Sequence, residues 1–580
     1  MKGSSDRIDH VISGAQVRAR QLLSWSDTTT SRWPELSVVA FVGVALLYVV
    51  RKMWFFGDDW AYLIYRFHRS TTGRWFEAIF APHNEHLSAL PAAVFLAFER
   101  IFGVGSALPY LAVMVLGHLL VLWAVRTLLV RMDVPMVGRL IAIVWLGFFG
   151  AGAENLVWGF QAGFIWGIAL ALWGLIVMTG GDEPSFRRDL GASALFLLAL
   201  FTVGTSVPIV IVSIGVLVLQ RSWIRVLRVF LVPLVFYGAW YVFYGKSRIP
   251  SHPTSLTTVV PYLTKGIATG LDQTVQFAGI GLVAGFVALI LVAQLADFKL
   301  GERRLVAILA ASIAVFFVMG GINRGYLGAD QAAAVRYIYF VGALAVPVLV
   351  LVAARVVVRW PRLLAVVAFL VAIAVIGNGG ALVSFRNDRL IRTDEAKWKL
   401  TSAIEYLDSP YVADDAQLEP VYNPDVNLRG LRELRDLGLW SSDVELTALM
   451  RLDAAVRFGI RVGIESPPPE LRSQIGAIAS VEGAAVASAG ECLVFQPTSL
   501  KPKVVLAPHQ SAAFSIDTDG APSSIYMRSE SDPSVHSGSV DLRTTGVLDP
   551  VWVVSFPNTG QPVLDLPAST PTTLCGLQAQ

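Results

Sequence analysis

Between about residues 36 and 385, long apolar runs alternate with short polar connections, and runs of that length predict membrane-spanning helices. The first, Leu36–Phe56, is followed by segments near 106–128, 139–154, 162–180, 190–206, 207–220, 229–245, 275–297, 305–321, 338–354 and 363–385, about eleven spans in all. Leu87–Gly103 is also apolar but carries Glu99 and Arg100. Its ~17 residues are marginal for a hydrocarbon layer of ~30 Å, so it is expected as a helix lying along the membrane surface. The segments 190–206 and 207–220 are each short and meet at Thr205-Ser206-Val207-Pro208, the pattern of two short helices around a partly buried turn.

Beyond Arg386 the pattern changes. Residues 386–479 are polar with helical periodicity, as in Leu428, Leu431 and Leu434, and contain no further span. From 480 to 580, short apolar or alternating stretches such as Val504-Val505-Leu506 and Val551–Phe556 sit between Pro, Gly, Ser and Asp clusters, which predicts a small β-sandwich. The expected fold class is therefore a polytopic α-helical membrane protein with a C-terminal α/β region ending in that sandwich. Its segments would be 1–35 (polar N-terminus), 36–385 (membrane domain with a large first loop, 57–105), 386–479 (mainly helical) and 480–580 (β module).

Composition agrees with the pattern. Of 580 residues, 54% are hydrophobic and only 15% charged, and the mean hydropathy of +0.59 excludes an ordinary soluble globule. The net charge of +3 reflects arginines grouped beside the spans: Arg126/Arg131/Arg139, Arg187/Arg188, Arg221/Arg225/Arg228, Lys299/Arg303/Arg304 and Arg355/Arg359/Arg362. All these groups fall on one side, the cytoplasmic one, if Leu87–Gly103 does not cross. Arg7, Arg18, Arg20 and Arg32 place the N-terminus inside, and the C-terminal region is then expected outside. No basic tract points to a nucleic acid, and no Gly-rich phosphate loop points to a nucleotide-binding fold. Cys492 and Cys575 both lie in the β module; they read as a disulfide in an oxidising compartment, and otherwise as two buried thiols.

The connections on the opposite side carry the polar chemistry. Trp54–Pro91 packs Asp58, Asp59, His83, Glu85 and His86 between two apolar stretches, where ionisable groups are costly unless they work. Asp58-Asp59 directly after the first span suits a general base for a hydroxyl, although adjacent acids also cap helices or line solvated loops. His83-Asn84-Glu85-His86 has divalent-metal residue types, with Asp59, Glu85 and His86 as possible ligands. Hydrogen bonding to Asp58 or to sugar hydroxyls is the competing role. No cofactor is fixed by the sequence; a divalent metal ion is the candidate. Glu154, Trp158 and Gln161 combine an aromatic face with polar acceptors, as a sugar site or an interfacial belt would. Further along lie a Lys246/Arg248/His252 loop ending near Gln276, then Arg324 and Arg336-Tyr337. These last arginines are placed to bind a phosphate at headgroup level, or to snorkel.

Gly57-Asp58-Asp59-Trp60 after the first span, His83-Asn84-Glu85-His86, Asn155-Leu156-Val157-Trp158-Gly159-Phe160-Gln161 and Arg336-Tyr337 together resemble the GT-C superfamily of integral membrane glycosyltransferases. The resemblance covers roughly 35–385 and is nearest to a bacterial subgroup acting on cell-envelope glycans. It implies a polyprenyl-phosphate-linked sugar as donor, an extracytoplasmic glycan or lipid-linked acceptor, and a place in the bacterial plasma membrane. It makes Asp58 or Asp59 the catalytic base or metal ligand and Arg336, with Arg324 and Tyr337, the donor-phosphate ligand. His83, Glu85, His86, Glu154, Trp158 and Gln161 would line or support the acceptor site. The chain departs from the subgroup at Leu87, where an arginine often follows the second histidine. Two other functions compete: a lipid or glycan transporter or flippase, which would call for charges within spans and two related halves, and a non-catalytic glycan-binding assembly protein.

Overall fold

A computed structural model describes residues 32–579 apart from 182, 246–254, 296, 413–416, 420–421, 464–465, 473, 509, 544–547 and 557–558. Lys246, Arg248, His252 and the N-terminal Arg7, Arg18 and Arg20 lie outside the described residues. Apolar runs fold as helices α1 (Trp33–Val50), α2 (Ala89–Phe102), α3 (Leu108–Arg131), α4 (Met136–Gly147), α5 (Ala162–Met178), α6 (Phe186–Leu200) and α7 (Val207–Leu219). They continue as α8 (Trp223–Trp240), α9 (Leu256–Val275), α10 (Gly281–Gln294), α11 (Leu300–Arg324), α12 (Val335–Arg359) and α13 (Leu364–Ala403).

Among the described residues, 8 helical segments are long and apolar enough to cross a membrane: Trp33–Val50, Leu108–Arg131, Met136–Val157, Gly159–Met178, Trp223–Gly245, Leu300–Leu327, Val335–Arg359 and Pro361–Tyr406. The expected spans 190–206, 207–220 and 275–297 fall short of that standard. The helices there, α6, α7 and α10, have 15, 13 and 14 residues, roughly 20 Å of helix against a hydrocarbon layer of ~30 Å. Helix α6 nevertheless meets partners at both ends of the helical unit. Asp189 near the start of α6 meets Arg225 at 2.9 Å, and beyond its last turn the Phe201 carbonyl accepts from the Leu90 amide at 2.9 Å. The segment after α10 likewise returns to the arginine-rich end, where Lys299 pairs with Asp133.

At that end, acids fix the arginines. Glu35 of α1 is buried and accepts from Arg126 Nε of α3 at 2.7 Å and from Arg139 Nε of α4 at 2.5 Å. Glu302 of α11 binds Arg355 of α12 at 2.5 Å. Such buried pairs set helix register more than they add stability. Helix α2 keeps both its ends at the opposite, Asp58-bearing end. Leu90 bonds Phe201 there, and the Gly103 carbonyl accepts from Tyr110 Oη at 3.1 Å. That agrees with a short helix that does not cross.

The segment read as a loop up to Gln276 is instead mostly helix α9, a correction with a visible cause. Gly266 and Gly270, one helical turn apart, remove the side chains that would collide with Phe317 of α11 and Val341 of α12, so the backbones pack closely. The run after α4 breaks for a related reason. A Cβ at Gly150 would strike the backbone at Asn378, and one at Gly152 would come within 2.7 Å of Tyr339 Cβ. Buried Asn378 meets the Ala151 amide freed by the break and links it to α9. Its Oδ1 accepts from the Ala151 amide at 2.9 Å, and its Nδ2 donates to the Thr274 carbonyl at 3.1 Å and the Ala374 carbonyl at 2.8 Å.

The chain divides into Met1–Thr393 and Asp394–Gln580. The division falls inside α13 and not at 385/386, because that helix continues unbroken past the apolar run. In the second unit two 6-stranded sheets form. One has the order Ile460–Val462, Asp549–Val553, Ala512–Asp517, Thr572–Cys575, Cys492–Pro497, Ala484–Ala489. The other runs Val540–Leu542, Ser523–Arg528, Gln561–Asp565, Lys503–Leu506, Gly476–Glu482, Leu577–Ala579. All neighbours are antiparallel except the last pair. Strict alternation of burial along Ala512–Asp517 and Ser523–Arg528 gives each sheet one buried face. The sheets approach at Gly476, where a Cβ would come within 2.5 Å of Ala512 Cβ. Cys492 and Cys575 are direct cross-strand partners and are disulfide-bonded. The edge strand Ile460–Val462 comes from before residue 480.

Candidate active site

The site grows out of the turn that follows α1. Trp54, Phe55 and Trp60 are buried in an aromatic cluster, with Trp54–Trp60 centroids 5.4 Å apart and Phe55 5.1 Å from Tyr110 of α3. Between them Gly57 adopts φ +53°, a left-handed conformation that favours glycine, and turns the chain so that the two aspartates diverge. Asp59 turns inward. Its residue is 2% exposed, and its Oδ2 accepts from the Phe56 amide at 3.0 Å and from Trp158 Nε1 at 3.2 Å. Trp158 Nε1 also donates to the Phe56 carbonyl at 2.8 Å, which staples the first loop to the 158–161 segment. Burial pushes the Asp59 carboxyl up to about 7, against the pull of the Phe56 amide.

Asp58 turns outward. Its side chain is 36% exposed and its Oδ2 lies 3.5 Å from His83 Nε2, an ion-pair distance longer than a hydrogen bond. His83 is itself positioned by stacking on Tyr62, with centroids 5.5 Å apart and planes at 25°, and by Phe160 at 5.0 Å. His83 and His86 do not share a helical face. They face each other across a tight hairpin, exchanging two backbone hydrogen bonds of 3.0 Å, with Asn84 at φ +50°. Asparagine is among the few non-glycine residues that tolerate such a turn, and it was the sequence signal for this hairpin.

A buried arginine holds the hairpin in place. Arg66 donates to the Ala78 carbonyl at 2.8 Å, to Ala81 at 2.8 Å and to Ser88 Oγ at 3.1 Å, binding the end of the short helix Trp75–Phe80. A cation on those last carbonyls is favourable. Leu87, the position that departs from the subgroup's pattern, is buried with Ala89 and Trp240.

Glu85 reaches α11. Arg324 Nε donates to its Oε1 at 2.9 Å, Nη2 contacts the same oxygen, and Nη1 donates to Tyr337 Oη at 2.6 Å. His86 Nε2 is 3.5 Å from Glu85 Oε1. Burial lowers the His86 imidazole to about 4; Glu85 opposes that shift while the Arg324 charge reinforces it, so the ring is neutral near pH 7. Among the described residues Arg336 makes one hydrogen bond, to Glu154 Oε1 at 3.4 Å, and its guanidinium stands 5.2 Å over the Tyr337 ring; its side chain is 30% exposed. Thus Arg324 is committed to Glu85 and Tyr337 while Arg336 retains free donors.

Asp58, His83, Glu85, His86, Arg324 and Tyr337 therefore come together, and Glu154 joins through Arg336. Gln161 does not present an open face. It is 1% exposed, with Oε1 accepting from Asn155 Nδ2 at 3.3 Å. Asp59, Glu85 and His86 do not converge as a ligand set, and no group of three His, Cys, Asp or Glu suited to a metal occurs among the described residues. Sequence reasoning missed Arg389 of α13. Its guanidinium stands 4.0 Å over the Phe56 ring and 5.8 Å from that of Trp158. The Phe56-Gly57-Asp58 loop is thus flanked by a cation from the last span.

No protein-family model and no curated protein matches the chain. Among solved structures it is similar to ArnT from Cupriavidus metallidurans bound to undecaprenyl phosphate, at 15% identity over 67% of this chain and 82% of that one, with a TM-score of 0.40. It is also similar to the arabinofuranosyltransferase AftD from Mycobacteria, at 11% identity over 95% of this chain and 59% of that one, with a TM-score of 0.31.

Proposed function

We propose that this protein is a GT-C-type membrane glycosyltransferase that moves a sugar from a polyprenyl-phosphate donor to a cell-envelope acceptor outside the cytoplasm. The observation that carries the reading is the divergence of the two aspartates: Asp58 partly exposed beside His83, Asp59 buried as the staple behind it. Asp58 is the base. Its carboxylate takes the proton from an acceptor hydroxyl, the acceptor oxygen bonds to the anomeric carbon, and the bond from that carbon to the phosphate oxygen breaks. The phosphate leaves with the electron pair, and Arg336, with Arg324 and Tyr337 behind it, meets the charge. Neutral His86 and the Glu85–Arg324 pair shape that side of the site without adding negative charge of their own toward the phosphate.

Purified protein incubated with a panel of polyprenyl-phosphate pentoses and hexoses and with envelope glycan acceptors is expected to transfer one of them. General-base contributions are typically about a hundred- to ten-thousand-fold, so Asp58→Asn should lower transfer by at least that order while the size-exclusion profile stays unchanged. Near-normal transfer by the variant would remove Asp58 as base. Sugar binding without transfer across the whole panel would favour a non-catalytic binding role.

A further inference from the structure

At the arginine-rich end, far from Asp58, a cavity of about 1260 Å³ opens between α7, the start of α11 and the connection from α5 to α6. Helix α3 measures the separation. It packs Tyr110 on Phe55 at its start and lines the cavity with Arg131 at its end, about 32 Å further along at 1.5 Å per residue.

The walls and the mouth differ in chemistry. Ile211 and Leu219 of α7 and Ile308 of α11 form an apolar strip in a lining that also carries Thr179, Gln220 and Ser222. Gly215 and Gly301 leave the walls notched, since a Cβ added at either would meet nothing within 4 Å. The mouth is cationic: Arg131 and Arg304 line it, and neither has a carboxylate partner among the described residues. Arg131 Nη1 donates to Thr179 Oγ1 at 3.1 Å. The third arginine there, Arg225, is already held by Asp189, and Glu183 is the opposing acid on the rim.

We propose that this cavity holds one anionic phospholipid of the adjoining leaflet, its phosphate met by Arg131 and Arg304 and an acyl chain lying in the notch at Gly215. The volume exceeds the roughly 300–1,000 Å³ of a small-molecule site, as an amphiphile requires. The apolar strip gives a free phosphate nothing, whereas an acyl chain buried along it is removed from solvent. Guanidinium groups pair strongly with phosphate and repel the ammonium of a zwitterionic headgroup. The inference is independent of the transfer reaction at the other end.

The test is native mass spectrometry of the full-length protein released from micelles containing equal phosphatidylglycerol and phosphatidylcholine. One phosphatidylglycerol should be retained with about a tenfold preference, roughly 1.4 kcal/mol. Arg131→Gln with Arg304→Gln should erase the preference. Gly215→Leu leaves both arginines intact, replaces a weak helix former in open space and should fold at least as well, yet it should expel the lipid. Equal retention of the two lipids would mean annular lipid only and overturn the proposal, as would an unchanged preference in either variant.

Discussion

Two neighbouring carboxylates acquire opposite jobs from one backbone turn. The pair was legible in the sequence but its division of labour was not, because which side chain faces inward depends on the left-handed Gly57 and on a tryptophan about a hundred residues away. Asp59 carries a pH signature. Its folded value of about 7 lies above the ordinary 3.8, so the native state holds the proton more tightly than the unfolded chain. That stabilisation is full below the unfolded value and is lost as pH rises through the folded one. Asp59→Asn, which cannot ionise, should therefore gain thermal stability relative to the parent between about pH 4 and 7, with the difference levelling off above. Melting curves in detergent at pH 5 and pH 8 measure it, and parallel profiles would mean that Asp59 ionises freely. The two arginines separate in the same way. Arg336→Lys loses the planar fork of the less engaged guanidinium and should weaken donor-phosphate binding while the fold stays intact. Arg324→Lys breaks the links to Glu85 and Tyr337 and should lower the melting temperature as well. Equal effects of both changes on melting, with donor affinity untouched, would assign both residues to anchoring.

At the scale of elements, the sequence was most legible where apolar runs were unbroken and least where a helix breaks or is mixed in polarity. Helix α9 was read as a loop because Lys265, Asp272 and its threonines dilute the run, although Gly266 and Gly270 at helical spacing carried the packing signal. The hairpin at His83–His86 was hidden for a related reason: its turn rests on Asn84, while the pattern offered only two histidines. Arg66 and Arg389 were passed over because arginines beside apolar runs usually report topology. The break after α4 sets Glu154 and Trp158, and it depends on Asn378. Asn378→Leu strands the Ala151 amide, at a cost of about 1–3 kcal/mol, while the Thr274 carbonyl keeps its bond from Trp145 Nε1 at 3.2 Å. The expected outcome is a clear drop in melting temperature together with reduced transfer, read by thermal denaturation and the transfer assay. An unchanged melt would show that the break is held by backbone packing alone.

Across the whole molecule, the direction of each helix can be followed from its partners, and it bears on where the C-terminal unit is made. Helix α1 begins at the arginine-rich end with Glu35 against Arg126 and finishes at the Asp58 end, where the Val49 carbonyl accepts from Arg386 Nε at 3.1 Å. Because Arg386 and Arg389 belong to the last span, the chain leaves the helical unit at the Asp58 end, opposite the arginine groups. If those groups mark the cytoplasm, everything after α13 is exported. The disulfide fits this direction: Cys492 and Cys575 are bonded across neighbouring strands, and such bonds persist in oxidising compartments. With a sequence separation of 83, the cross-link would stabilise the unit by roughly 4 kcal/mol in the chain-entropy model. A reporter that works only in the cytoplasm, fused after Gln580, should give no signal. The same cells should yield a Cys492–Cys575 peptide cross-link in non-reducing mass spectrometry. The paired replacement Cys492→Ala with Cys575→Ala should make the C-terminal unit more protease-sensitive while leaving the membrane helices protected. A bright cytoplasmic reporter together with two free thiols would invert the topology and place Asp58 on the side where no exported acceptor could reach it.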